Sequence, residues 1–218
     1  MPVIHKNKLI FIHIPRTGGT SINKYFEETG AFGEHKLNVK NENFHIMYGL
    51  FKTQKETFEL DHLDYLGLKS FCPEVIFDSY KKFAIVRDPL ERLYSDFGRI
   101  KLRGDRRLFD ATDLNFDSFV VEVAKLFDRG LDKLGHFKRS HLIPQVNFVP
   151  KDSDVSILRF SNLIEDWNTF RDEHELEKRD LPHSNKSKKV GSKPIISDTT
   201  VKLVKDIYQE DYKILFNL

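Results

Sequence analysis

The sequence predicts an α/β fold built on a central parallel sheet, and three observations carry that expectation. Short apolar runs at Leu9–Ile14 and Phe83–Val86, with a third segment at Ser156–Phe160, suit strands covered on both faces. Each run is followed by a segment with helical spacing of its apolar residues. Strands that alternate with helices in this way build parallel sheets.

The first unit runs from Leu9-Ile10-Phe11-Ile12-His13-Ile14 into the turn Pro15-Arg16-Thr17-Gly18-Gly19. A helix is expected from Thr20 or Ser21, with Ile22, Tyr25 and Phe26 on one face and Gly30 as its stop. In the second unit, Phe83-Ala84-Ile85-Val86 leads to Asp88 as N-cap, Pro89 at the first helical position and Glu91 closing a capping box. Leu90, Leu93, Phe97 and Ile100 then fall at helical spacing. The third strand leads into a helix over Ser161–His174 that carries Leu163, Ile164, Trp167 and Phe170. Further helices are expected over Asp117–Phe127 and Ser197–Phe216. The most polar stretch, Leu181–Pro194, reads either as a solvated loop or as a segment whose Lys186, Lys188, Lys189 and Lys193 close over an anion.

The length of 218 residues suits a single domain. With 35 basic and 33 acidic residues the formal charge is only +2, which gives no argument for nucleic-acid binding but allows a local cationic pocket. The one cysteine, Cys72, excludes an intramolecular disulfide and any four-cysteine metal site. With no apolar stretch near the roughly 20 residues of a membrane span and no signal-peptide pattern, the reading is a cytoplasmic chain with no membrane segment. No dense metal-ligand pattern such as H-E-x-x-H occurs, and no metal is expected.

Strand, Pro-Arg-Thr-Gly-Gly-Thr-Ser, helix is an arrangement suited to phosphate. Gly18 and Gly19 let the backbone come close, the helix start offers N–H groups and a positive dipole end, Arg16 adds a cation, and Thr17, Thr20 and Ser21 add hydroxyls. The Walker A pattern G-x-x-x-x-G-K-[ST] and the dinucleotide pattern G-x-G-x-x-G are both absent. In the second unit Arg87 ends a strand and Ser95 stands on the next helix, so the two can converge on one anion. Taken alone, Arg87 reads as a salt-bridge residue and Ser95 as a plain helix-surface serine.

Together, FIHIPRTGGTSI and VRDPLERLYSDF resemble the cofactor-binding segments of the sulfotransferase family. The later segments HLIPQVNF, ILRFSNL, LPHSNKS and IYQEDYKIL resemble its carbohydrate O-sulfotransferase branch, sulfotransferase family 2, so the resemblance runs from Leu9 to Leu215. It implies a three-layer α/β sandwich with a P-loop-like site. It also implies 3′-phosphoadenosine 5′-phosphosulfate (PAPS) as donor, left as 3′,5′-bisphosphoadenosine, and a hydroxyl-bearing acceptor, with a carbohydrate the expected class. By the same resemblance the first loop holds the 5′-phosphosulfate, Arg87 and Ser95 hold the 3′-phosphate, and Lys186 and Ser187 close over the cofactor. The family usually carries lysine where this chain has Arg16; arginine keeps the charge and can fork onto phosphate, but it does not readily give up a proton.

Sulfuryl transfer requires charge stabilisation on the leaving phosphate, assigned to Arg16, and a base for the acceptor hydroxyl. The resemblance makes His45 the first candidate base, with Glu34 and His35 behind it. His141 and Gln145 are candidate acceptor-binding residues, and Phe44 and Tyr48 could line the acceptor pocket or simply pack. Two other readings of the same loops are a metal-dependent nucleoside or nucleotide kinase and a catalytically weak nucleotide-binding adaptor of the same fold.

Overall fold

The computed structural model describes residues 2–31, 50–52, 57–103, 111, 113–182 and 195–218. The expected bases Glu34, His35 and His45, the flanking Phe44 and Tyr48, and the loop residues Lys186 and Ser187 lie outside them.

The chain runs β1 (Val3–Ile4), β2 (Leu9–Ile12), α1 (Gly19–Glu28), β3 (Leu50–Lys52), β4 (Thr57–Glu59), α2 (Tyr65–Phe71), α3 (Glu74–Ser79), β5 (Lys81–Val86), α4 (Pro89–Arg103), α5 (Phe116–Arg129), α6 (His136–Leu142), β6 (Val155–Arg159), α7 (Leu163–Glu173), α8 (Asp198–Ile207) and α9 (Gln209–Leu215). The main sheet has the order β1-β2-β5-β6. β2, β5 and β6 are parallel, with Ile12 opposite Ala84 and Val86 opposite Arg159. β1 adds an antiparallel edge to β2. β3 and β4 form a separate hairpin.

The alternation of side chains along a strand divides the apolar runs between two cores. Leu9, Phe11, Phe83, Ile85 and Leu158 pack against Ile22, Tyr25 and Phe26 of α1 and Trp167 and Phe170 of α7. Ile10, Ile12, Ala84 and Val86 pack on the other face against Leu68 of α2, Phe77 of α3, Ile143, Phe148 and Leu215 of α9. Helices on both faces of a mostly parallel sheet make the three-layer sandwich. A third core joins α4, α5 and α8 through Leu93, Phe97, Phe119, Val123 and Val204.

Several boundaries differ from the sequence reading. β2 ends at Ile12, because the chain turns at His13 toward the loop. α1 starts at Gly19, with Gly18 at its N-cap in the left-handed region at φ 97° and no side chain capping it. Ser161 and Asn162 belong to a short 3₁₀ turn before α7. The expected helix over Ser197–Phe216 breaks at Tyr208, whose ring is fully buried and whose hydroxyl donates to the Leu142 carbonyl at 2.8 Å. Asp88 caps α4 as expected, accepting from the Glu91 N–H at 3.0 Å.

Candidate functional site

Two neighbouring parallel strands, β2 and β5, deliver the two motifs to the same edge of the sheet, the carboxyl-terminal edge where open α/β folds bind ligands. The turn after β2 puts Arg16 at φ 68°, a left-handed conformation that costs a non-glycine residue about 1 kcal/mol. That turn carries the Arg16 side chain across to α4. Its Nη2 donates to the Ser95 Oγ at 2.9 Å and the Ser95 carbonyl at 3.0 Å, and its Nε to Ser95 Oγ at 3.2 Å. The Asp96 carboxylate stands 3.5 Å from Arg16 Nε.

Arg87 leaves β5 and reaches back. Its Nη1 donates to the Arg16 carbonyl at 3.2 Å, and its guanidinium lies 4.2 Å from the centre of the Phe160 ring. Glu91, expected to close a capping box, sits with its carboxylate 3.5 Å from Arg87 Nε. Arg16, Arg87 and Ser95 therefore form one connected group.

Gly18 and Gly19 serve different ends. Gly18 supplies the positive φ, and Phe160 packs over it closely enough to crowd any Cβ. A Cβ on Gly19 would overlap the His13 ring. The start of α1 carries no side-chain cap, which suits an anion, although the Ser21 N–H already donates to the Gly18 carbonyl at 3.0 Å. Thr20 is exposed and Ser21 half-buried at this helix start. Thr17 is different: it is buried, and its hydroxyl donates to the Ile14 carbonyl at 3.0 Å, so its proton is spent on holding the turn.

Three histidines, of which the sequence reading singled out only His141, pack together beside the loop. The His13 and His62 rings meet edge to face at 4.5 Å, and His62 meets His141 at 5.6 Å. His62 Nδ1 is 2.8 Å from the His13 carbonyl oxygen. A carbonyl only accepts, so Nδ1 carries the proton and the Nε2 lone pair is left open. Desolvation lowers the His62 pKa well below 6.5, with His13 and His141 adding to the effect. Burial likewise pushes His13 down to about 3. Both rings are thus neutral at physiological pH. Nothing in the DHL tripeptide marks His62 in the sequence; only the fold brings it beside His13 and the loop.

The two expected acceptor residues are both interior. His141 is buried, with Nδ1 3.0 Å from Asp96 Oδ1. Gln145 is fully buried and its carboxamide is committed to Arg87 and Asp211, which removes it from any wall an acceptor could touch. The IPQV segment offered no sign of this, because the partners come from β5 and α9.

Two guanidiniums, a serine hydroxyl and a helix start without a side-chain cap share one edge, a donor set suited to phosphate or sulfate groups. The model of the sulfotransferase family matches residues 1–217. The chain belongs to the sulfotransferase family. Sulfuryl transfer is the chemistry that this membership carries. No curated protein and no solved structure matches this sulfotransferase. Among its described residues, no group of three His, Cys, Asp or Glu side chains could hold a metal ion, and no helix is long and apolar enough to cross a membrane.

Proposed function

We propose that this sulfotransferase takes its sulfuryl group from PAPS and passes it to a hydroxyl of a carbohydrate acceptor. The observation that carries the donor assignment is the junction of the two loops: Arg16 on Ser95, and Arg87 on the Arg16 carbonyl. A ligand with phosphates at both ends of an adenosine matches a site with one cation on each loop. The acceptor class rests on the resemblance of the later segments to the carbohydrate branch.

Bound there, PAPS supplies the activated sulfuryl group. The first N–H groups of α1 and the Arg16 guanidinium stabilise charge on the 5′ side. Arg87 holds the 3′-phosphate with Ser95, whose hydroxyl accepts from Arg16 and still has its own proton to donate. Lys186 and Ser187, from outside the described residues, complete the grip. His45, from outside the described residues, takes the acceptor proton; His62, held well below the pKa of a free imidazole by desolvation, stays neutral beside the loop.

The test is thermal. Saturating 3′,5′-bisphosphoadenosine should raise the melting temperature, and Arg87→Ala should abolish the shift; a ligand present at about 100 times its Kd stabilises by about 2.7 kcal/mol. A wild type stabilised by magnesium-ATP and not by the bisphosphate overturns the assignment in favour of phosphoryl transfer.

A further inference from the structure

The geometry points to Gln145 and Asp211 as positioning residues for Arg87: they clamp its peptide so that the guanidinium meets the 3′-phosphate. The inference rests on the PAPS reading above.

Arg87 is the first residue beyond β5, where the sheet no longer pairs its peptide. The Gln145 carboxamide takes the place of a strand neighbour. Its Oε1 accepts from the Arg87 N–H at 2.9 Å, and its Nε2 donates to the Arg87 carbonyl at 2.7 Å. A carboxamide pairs with a peptide in this way only one way round; turned over, it would set oxygen against oxygen and N–H against N–H.

Asp211 of α9 fixes that orientation. Its Oδ2 accepts from Gln145 Nε2 at 3.3 Å, and its Oδ1 accepts from the Val146 N–H at 3.0 Å. Both side chains are fully buried, so water cannot replace a lost partner. Nearby, the buried Arg92 donates to the carbonyls of His141 and Ile143 at 3.1 and 2.7 Å, which pins the segment just before Gln145. The next residue of α9, Tyr212, lies near Asp88, whose charge adds to burial in raising the phenol's pKa.

From this fixed peptide the Arg87 side chain is guided by Phe160 beneath it and by the Arg16 carbonyl at its tip. Loosening the peptide shifts the guanidinium relative to the 3′-phosphate, while the first loop keeps its own bonds from Arg16 to Ser95. Misplacement of about 1 Å in such a group can cost on the order of 100-fold.

The experiment compares the Kd of 3′,5′-bisphosphoadenosine with that of 5′-AMP, which lacks the 3′-phosphate. Wild type should prefer the bisphosphate. Gln145→Met keeps the volume and removes the hydrogen bonds; it should cut that preference at least about tenfold while the AMP affinity stays within about twofold. A role in folding alone would move both affinities together. Gln145→Met with the full wild-type preference overturns the inference. Should that variant not fold, Asp211→Asn gives the same ratio, with the same expected and refuting results. Hydrogen exchange on the wild type is a further check that needs no variant: the Arg87 amide should exchange slowly, and fast exchange overturns the clamp. A wild type that binds both nucleotides equally refutes the PAPS reading, and with it this inference.

Discussion

His62 shows how a residue gains its chemistry from its surroundings. Its neighbours in the chain do not foretell its state, but its Nδ1 proton is held by the His13 carbonyl and desolvation keeps the ring neutral. The base is expected at His45 instead: His45→Ala should lower kcat by about 10²–10⁴-fold while the Kd of the bisphosphate holds, as measured by turnover and by calorimetry. A loss under tenfold would show that another residue takes the proton. That Arg16, Gly18, Gly19, Arg87 and Ser95 meet at one sheet edge was legible from residue type and spacing, because each stands just after a parallel strand or on the helix that follows it. His62, Asp96 and Asp211 were not, because each acts on a partner distant in the chain. Gln145 was noticed in the sequence, but its direction was not: only burial reveals that it faces Arg87.

At the level of elements, the strongly patterned units β2–α1, β5–α4 and β6–α7 were readable because their apolar residues are consecutive in strands and regularly spaced in helices. The short helices α2, α3 and α6 were missed. α2 buries only Leu68 deeply, so it has almost no apolar stripe to detect. It depends instead on its ends. Asp64 caps it, accepting from the Gly67 N–H at 2.8 Å, and also meets Arg139 of α6 at 3.2 Å. Asp64→Ala should cost about 1 kcal/mol, the ordinary value of a lost cap, read from urea unfolding. A cost below a few tenths would show that tertiary packing alone holds α2. Tyr208 explains the missed break between α8 and α9: the apolar spacing continues through it, but its hydroxyl must reach Leu142 and the helix yields.

For the molecule as a whole, the desolvated histidines His13 and His62 make stability depend on pH. In the unfolded chain His13 and His62 titrate near 6.5; in the folded protein both are shifted down, His13 to about 3. Below 6.5 the unfolded chain takes up protons that the folded chain refuses, so this stability is complete above 6.5 and is lost as pH falls. The melting temperature should decline between pH 6.5 and 5, before most carboxylates protonate. The decline should flatten in the double variant His13→Asn, His62→Asn, measured by calorimetry against wild type. An unchanged slope would show that the two rings are charged or exposed in the native state. His141 and Arg16, which face this pair, already oppose a further positive charge there.

The clamp from α9 also bears on the order in which the molecule becomes competent during synthesis. Both turns proposed to grip phosphate lie within residues 16–95, but the carboxylate that orients Gln145 against Arg87 is at residue 211. A ribosome-bound chain halted before Asp211 would carry both proposed turns and still hold Arg87 loosely. On the proposed reading, tight capture of the nucleotide would begin only when α9 emerges and docks.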